Sequence, residues 1–387
     1  MAIDKITTAA ITDGTITSSD LAAGTVQNQS AFKNIIINGD MSIAQRATSV
    51  TGVGNGDNSC HTVDRLSFYE EGGTSGEFTM SQENDVPTGQ GFAKSTKLDC
   101  TTADASLAAT EVIALEYKFE GQMLQYLKKG TSNAESLTLS FWVKTNKTGT
   151  YVANFYDNDN NRHTSQNYTV SSANTWEKKI ITFAPDTTGT LTNDNTLALA
   201  MYFILGAGTS YTSGSPATSW ETFSGNADNW CGGQNVNLLD NTSNEFYITG
   251  VQLEAGEVAS DFEFLPVDIN LQRCERYFSK SYSQGTNPGT NTWTGTMIAR
   301  NYDTSDRGEN PFLGSFKVNM RTVPTVTIYS KAGNSAKIVS GSTSVNAGST
   351  EYSVSSTQVT RTQITAIQAT ITGTHFGQAH YTADAEL

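Results

Sequence analysis

Residues 135–162 read ESLTLSFWVKTNKTGTYVANFYDNDNNR, and the reading of this stretch decides the fold. Leu137, Leu139, Phe141 and Val143 alternate with Thr138, Ser140 and Trp142. Tyr151, Ala153 and Phe155 alternate with Val152, Asn154 and Tyr156. A period of two belongs to a strand with one face on a core. The Asp-Asn-Asp-Asn-Asn run that follows has the composition of a hairpin turn before His163.

Working outward, the same texture continues. Residues 34–37 form an apolar run that enters the turn signal Asn38-Gly39-Asp40, and residues 176–183 and 246–253 read as further strands. Residues 197–205, LALAMYFIL, are continuously apolar, which fits a central strand or a buried helical segment. One window, 111–129, reads as helical because Leu115, Phe119, Leu124 and Leu127 fall on one side, although Glu120-Gly121 weakens it. Short strands separated by Gly, Asn, Asp and Ser clusters make this an all-β sandwich or barrel. It should end near Pro266. Asp268 can then cap a short helix over 269–278, with Leu271, Cys274 and Phe278 on one stripe. A Gly/Asn/Thr-rich loop at 283–292 leads to a second β module. There Phe316, Val318 and Met320 alternate, Val326 and Ile328 follow Pro324, and 357–372 and 381–387 read as strands.

The first thirty residues differ. In fives from Ile6 they read ITTAA, ITDGT, ITSSD, LAAGT, VQNQS, so the large apolar residue recurs at Ile6, Ile11, Ile16, Leu21 and Val26. This period is neither helical nor that of a strand. One apolar residue in five cannot build a core within one chain, but several chains around an axis could bury the row together. A thin threefold stem is expected, with a tail ordered only on a partner as the alternative.

Composition narrows the function. The 387 residues carry 24 Lys and Arg against 38 Asp and Glu, a formal charge of −14, and only 16% are charged. The acidic balance argues against nucleic-acid binding, which needs a basic footprint. The longest apolar stretch is far below the roughly 20 residues of a spanning helix, so no membrane insertion is expected. The N terminus has no basic segment followed by an apolar one, so no secretory leader is expected. Cys60, Cys100, Cys231 and Cys274 are widely spaced without a CxxC, which favours free thiols in a reducing compartment over a metal site.

Taken together, several blocks resemble bacteriophage tail fibres, the receptor-binding proteins of the virion, many of them from marine phages. NIIINGDMSIAQRATS (34–49) and TVDRLSFY (62–69) resemble the opening of their carbohydrate-binding-like jelly-roll module. The stretch 135–162 looks like its middle strands, TGVQLEAGEVASDFEF (249–264) like its closing strand, and QRCERYF (272–278) like the helix that follows. MRTVPTVTIYS (320–330) and HYTADAEL (380–387) resemble the tip module. The resemblance implies an all-β chain: a stem at 1–32, a jelly-roll β-sandwich at 33–266, a linking helix at 267–280 and a smaller C-terminal β tip domain at 281–387. It also implies a homotrimer, made in the host cytoplasm, that joins other tail or adaptor proteins through its N terminus. Outward it would attach to a host surface glycan or lipopolysaccharide. A head fibre or decoration protein without a specific receptor is the alternative, and a polysaccharide depolymerase the second.

Candidate site residues come from the chain's own chemistry. Sugars are gripped by flat aromatic faces beside planar polar groups. The long polar segment 206–237 offers Tyr211, Trp220, Phe223 and Trp230, with pinning of the loop as the other reading of both tryptophans. Trp142 and Trp176 read as packing residues. In the tip, Trp293, Arg300, Tyr302, Asp303, Asp306 and Arg307 form a second polar and aromatic group that could grip charged sugars. Asp157-Asn158-Asp159 begins like a calcium loop, but Arg162 stands where glycine is needed, so a turn is preferred. His375 and His380 lack the spacing of an axial metal pair. Neither metal nor cofactor is expected. Glycan cleavage would need two carboxylates. Of the candidates Glu245, Glu254, Asp261 and Glu263, the last three lie in the sandwich's exit segment, a structural place, so the chain is expected not to be an enzyme.

Overall fold

A computed structural model describes residues 32–225, 227–302, 309–310, 314–341, 350–369 and 375–387. The five apolar stem positions, and Asp303, Asp306 and Arg307, lie outside the described residues.

The strands are β1 (Ser49–Gly54), β2 (Ser67–Glu71), β3 (Glu77–Glu83), β4 (Ser95–Thr102), β5 (Val112–Glu120), β6 (Leu137–Thr145), β7 (Gly149–Asp157), β8 (Arg162–Val170), β9 (Glu177–Phe183), β10 (Leu197–Ala207), β11 (Glu221–Thr222) and β12 (Glu245–Ala255). They form two antiparallel six-stranded sheets, ordered β1-β3-β4-β12-β6-β9 and β11-β8-β7-β10-β5-β2. The alternation read in 135–162 holds residue by residue. Leu137, Leu139, Phe141 and Val143 from the first sheet meet Tyr151, Ala153 and Phe155 from the second in one buried core. The chain is an all-β sandwich followed by a smaller β module, as expected.

Residues 197–205 resolve as β10, the strand between β5 and β7. Both of its faces are buried, which is why it reads as a continuous apolar run. The helical window at 111–129 is overturned: it holds β5 and then two short 3-10 turns, Gly121–Met123 and Gln125–Leu127. Ile113, Leu115, Tyr117 and Phe119 point inward with period two. Leu115 and Phe119 are four apart, a spacing shared by a strand face and a helix face. Residues 34–37 are buried but not a strand: Asn34 Oδ1 accepts the Ile36 and Leu253 amides at 3.0 and 3.1 Å and wedges the segment against β12.

After a single turn of helix, α1 (Thr209–Thr212), and the exit segment at 256–266, α2 (Val267–Glu275) begins earlier than expected. Pro266 stands at its N-cap position and Asp268 lies in the first turn without capping. Leu271 and Cys274 pack with Ile37, Ile43 and Tyr277, whereas Phe278 has already left the helix.

The tip module contains β13 (Phe278–Lys280), β14 (Met297–Tyr302), β15 (Glu309–Asn310), β16 (Gly314–Ser315), β17 (Thr325–Tyr329), β18 (Lys337–Gly341), β19 (Thr350–Val359), β20 (Gln363–Ala369) and β21 (His375–Asp384). β21 is its hub and pairs with β13, β14, β17 and β18. Two expectations are corrected. Phe316–Met320 alternates in sequence but leaves the sheet after Ser315, with its backbone turned to the β19–β20 turn through Phe316 N to Thr362 O (2.8 Å). Residues 357–372 are not one strand: β19 ends, the chain reverses at 360–362, and β20 begins.

Candidate carbohydrate-binding face

The outer face of the second sheet is unusual in being apolar. β5, β10 and β7 turn Val112, Ala114, Ala200, Tyr202, Ile204 and Val152 away from the main core, yet all are buried. Their cover is the segment 208–237, held down along its length. Gly208 N donates to Glu111 O (2.7 Å) and Cys231 N to Tyr211 O (2.9 Å). Asn154 Nδ2 rises from β7 to Trp230 O (2.9 Å), and Ser165 Oγ from β8 to Asn229 O (3.1 Å).

Trp230 is the centre of this cover and is only 4% exposed. Its ring meets those of Tyr202 (5.3 Å), Tyr211 (5.5 Å), Phe223 (5.8 Å) and Tyr69 (6.4 Å) edge to face. The pinning reading therefore describes Trp230: its faces are occupied by protein. Trp220 pins a different point. Its Nε1 donates to Ala184 O (2.9 Å), and its ring lies over the Lys129 ammonium (4.3 Å).

The sequence candidates Tyr211 and Phe223 do come together, through Trp230, and both remain partly exposed. Two residues missed in the sequence complete the rim. Tyr69 on β2 and Tyr156 on β7 are partly exposed, and Tyr156 meets Phe223 at 5.4 Å. The available signal was alternation: Tyr156 lies on the outward phase of its strand. What placed it beside a loop distant in sequence is register. Each rim hydroxyl lies beside a planar polar group. Tyr69 Oη donates to Glu71 Oε2 (2.7 Å), Tyr211 Oη to Glu71 Oε1 (3.4 Å) and Tyr156 Oη to Asn161 Oδ1 (2.9 Å). Deeper in the sheet, burial pushes the Glu116 carboxyl up from its ordinary range, against the opposing pull of Lys118 (3.3 Å).

The calcium-like run is a turn between β7 and β8, with Asn161 at φ 51°. Asp157 and Asp186 close instead on the ammonium of Lys129, which also donates to Gly189 O (3.1 Å). Burial raises Asp186, but Arg162 and Lys129 outweigh it and hold this carboxyl well below its usual range.

Trp293 is 37% exposed, with Lys331 Nζ over its ring at 3.6 Å. Arg300 and Tyr302 lie on β14 beside β21. Trp176 packs edge to face on Tyr247 (6.2 Å) and donates to Asp85 (3.0 Å), consistent with packing. His380 is buried, stacked on Tyr282 at 3.8 Å. Its Nε2 lies 3.1 Å from Thr292 O and its Nδ1 2.9 Å from Ser281 Oγ. Three of the carboxylates weighed for glycan cleavage are engaged within the fold. Glu254 accepts from the Ser260 amide (3.0 Å) and Glu263 from the Phe32 and Asn34 amides (2.5 and 2.9 Å). Glu245 pairs with Lys97 at 2.6 Å. Of the thiols, Cys100, Cys231 and Cys274 are buried and Cys60 partly so, all unbridged.

No known family and no curated protein matches the sequence. Among solved structures, the enzymatically active domain of tailspike protein 4 of bacteriophage CBA120 aligns at 13% identity and a TM-score of 0.28, over 56% of this chain and 22% of that one. The chain thus spans about a fifth of the tailspike chain it matches. The family 11 carbohydrate-binding module of cellulase Lic26A-Cel5E from Clostridium thermocellum aligns at 12% and 0.28, over 54% and 98%. The N-terminal cellulose-binding domain of Cellulomonas fimi β-1,4-glucanase C aligns at 15% and 0.22, over 50% and 90%. Similarity at this level does not define a family. The functional reading rests on the chain's own residues.

Proposed function

We propose that this chain is a virion fibre of the tail-fibre type, a homotrimer that joins the particle through its N terminus and attaches to host surface glycans without cleaving them. The observation that carries the glycan reading is the rim of Tyr69, Tyr156, Tyr211 and Phe223 around buried Trp230. Partly exposed rings anchored from below are suited to the apolar faces of pyranoses. Glu71 and Asn161, already bonded to the rim hydroxyls, supply planar acceptors for sugar hydroxyls. Their partners fix the rings in place, so little side-chain freedom is lost on binding. Each site is weak, and copies on one particle act together by avidity.

The test is competition. Purified protein should block adsorption of the phage to its host, and the Tyr156→Ala, Tyr211→Ala double variant should block it poorly. Wild-type protein that neither adsorbs to host cells nor competes would overturn the attachment reading.

A further inference from the structure

The point where the chain leaves the stem is bordered by apolar side chains that the sandwich does not cover. Phe32 is 57% exposed, Val258 70%, Phe264 49% and Val267 68%. They lie around one place. The Phe32 amide donates to Glu263 Oε1 at 2.5 Å, and Phe264 is the next residue after Glu263. Lys33 reaches Ser260 Oγ, two residues beyond Val258 on the exit segment, and Glu254 at the end of β12 that leads into it. Val267 opens α2, directly after the exit segment.

This border is built rather than loose. Phe264 is held against Phe92 (5.1 Å) and Phe262 (4.8 Å), so one side of its ring is anchored and the other presented. The charged groups beside it are already engaged. Glu263 caps two backbone amides and Lys33 lies 4.0 Å from Glu254. An apolar step with satisfied charges around it suits burial against another protein surface.

The chain itself indicates which surface. The pentad row Ile6, Ile11, Ile16, Leu21 and Val26 cannot cover itself within one chain, and it ends six residues before Phe32. A partner that buries the row brings a second copy of this border alongside the first. The net charge of −14 makes copies repel, so contact between them must rest on apolar groups.

We infer that Phe32, Val258, Phe264 and Val267 form a collar on which copies of this chain pack against one another, continuing the stem contact onto the base of the sandwich. The inference rests on the oligomeric fibre reading above and names the surface that reading requires.

Sedimentation of the full chain over a range of concentrations tests it, comparing wild type with Phe264→Ser/Val267→Ser, with Val267→Asp alone, and with Val323→Ser. Val323 is an exposed apolar residue (55%) in the tip module and serves as the control. Val267→Asp guards against misfolding of the double variant, since Phe264 has packing partners. Wild type and Val323→Ser should sediment as the same oligomer. Both collar variants should dissociate at concentrations about tenfold higher or more, the effect expected for removing a well-buried interface side chain. An oligomer no weaker in the collar variants than in Val323→Ser overturns the collar and leaves the fibre reading standing. A wild-type chain that is monomeric throughout overturns both.

Discussion

At the residue scale, two buried side chains organise the molecule and each makes a prediction. Trp230 anchors the cover of the second sheet, so Trp230→Ala should cost about 3–5 kcal/mol and loosen 208–237. Thermal or denaturant unfolding would measure the loss, and a near-neutral result would mean that the cover is held by its backbone bonds alone. His380 is held neutral: burial lowers its pKa below 6.5, against the hydrogen bond to Thr292 O. The unfolded chain therefore binds a proton at a pH where the folded one does not. The stabilisation is complete above the unfolded value near 6.5 and is lost as pH falls from there through the lower folded value. Melting curves should show the tip weakening over that window in wild type, with the step reduced in His380→Gln. An unchanged step would contradict the assignment. The sequence made the aromatic identity of the cover visible but not its depth. Trp220 and Trp230 sit in similar Ser-, Gly- and Asn-rich surroundings, and only register and loop path separate one pinning point from the other.

At the element scale, alternation carried most of the fold. β6, β7, β9 and β12 were legible because each has at least one face on a large core, whereas β10, buried on both faces, carries no period and read equally as a central strand or a buried helical segment. Errors fell where two periods coincide or where backbone chemistry decides. β5 imitated a helix because Leu115 and Phe119 satisfy both spacings. The alternating run after β16 failed because its backbone bonds to the β19–β20 turn. The join between sandwich and tip was not legible, since its charges are far apart in sequence. Arg65 is buried with its guanidinium on the Tyr277 ring (3.5 Å) and paired to Glu386 from beyond β21. Arg46 bonds Asp384 at 2.9 Å, and Arg321 donates to Ala385 O (2.7 Å) and Glu386 O (2.8 Å). Removing one partner of a buried ion pair leaves the other charge without compensation, typically at about 3–5 kcal/mol. Glu386→Ala should therefore uncouple the modules, splitting a shared unfolding transition into two in calorimetry. A single unshifted transition would show that the apolar contacts around Tyr277 suffice.

At the scale of the whole molecule, low charge and abundant hydroxyl and amide side chains fit a chain with many wet strand edges and loops, which supports the fibre proposed above. The stem should be needed for assembly and not for folding of the rest. Deleting residues 1–30 is expected to abolish incorporation into virions while the protein keeps its β-rich circular dichroism spectrum. Incorporation of the truncated chain would place the attachment point elsewhere. The central claim is that the rim of the second sheet recognises sugar. Glycan-array binding by the assembled protein tests it most directly, with Tyr156→Ala/Tyr211→Ala beside wild type. The account predicts a defined set of bound glycans and a signal that falls by about two- to tenfold for each ring lost, the worth of one aromatic contact. Equal binding by both proteins, or no binding by wild type, would contradict it.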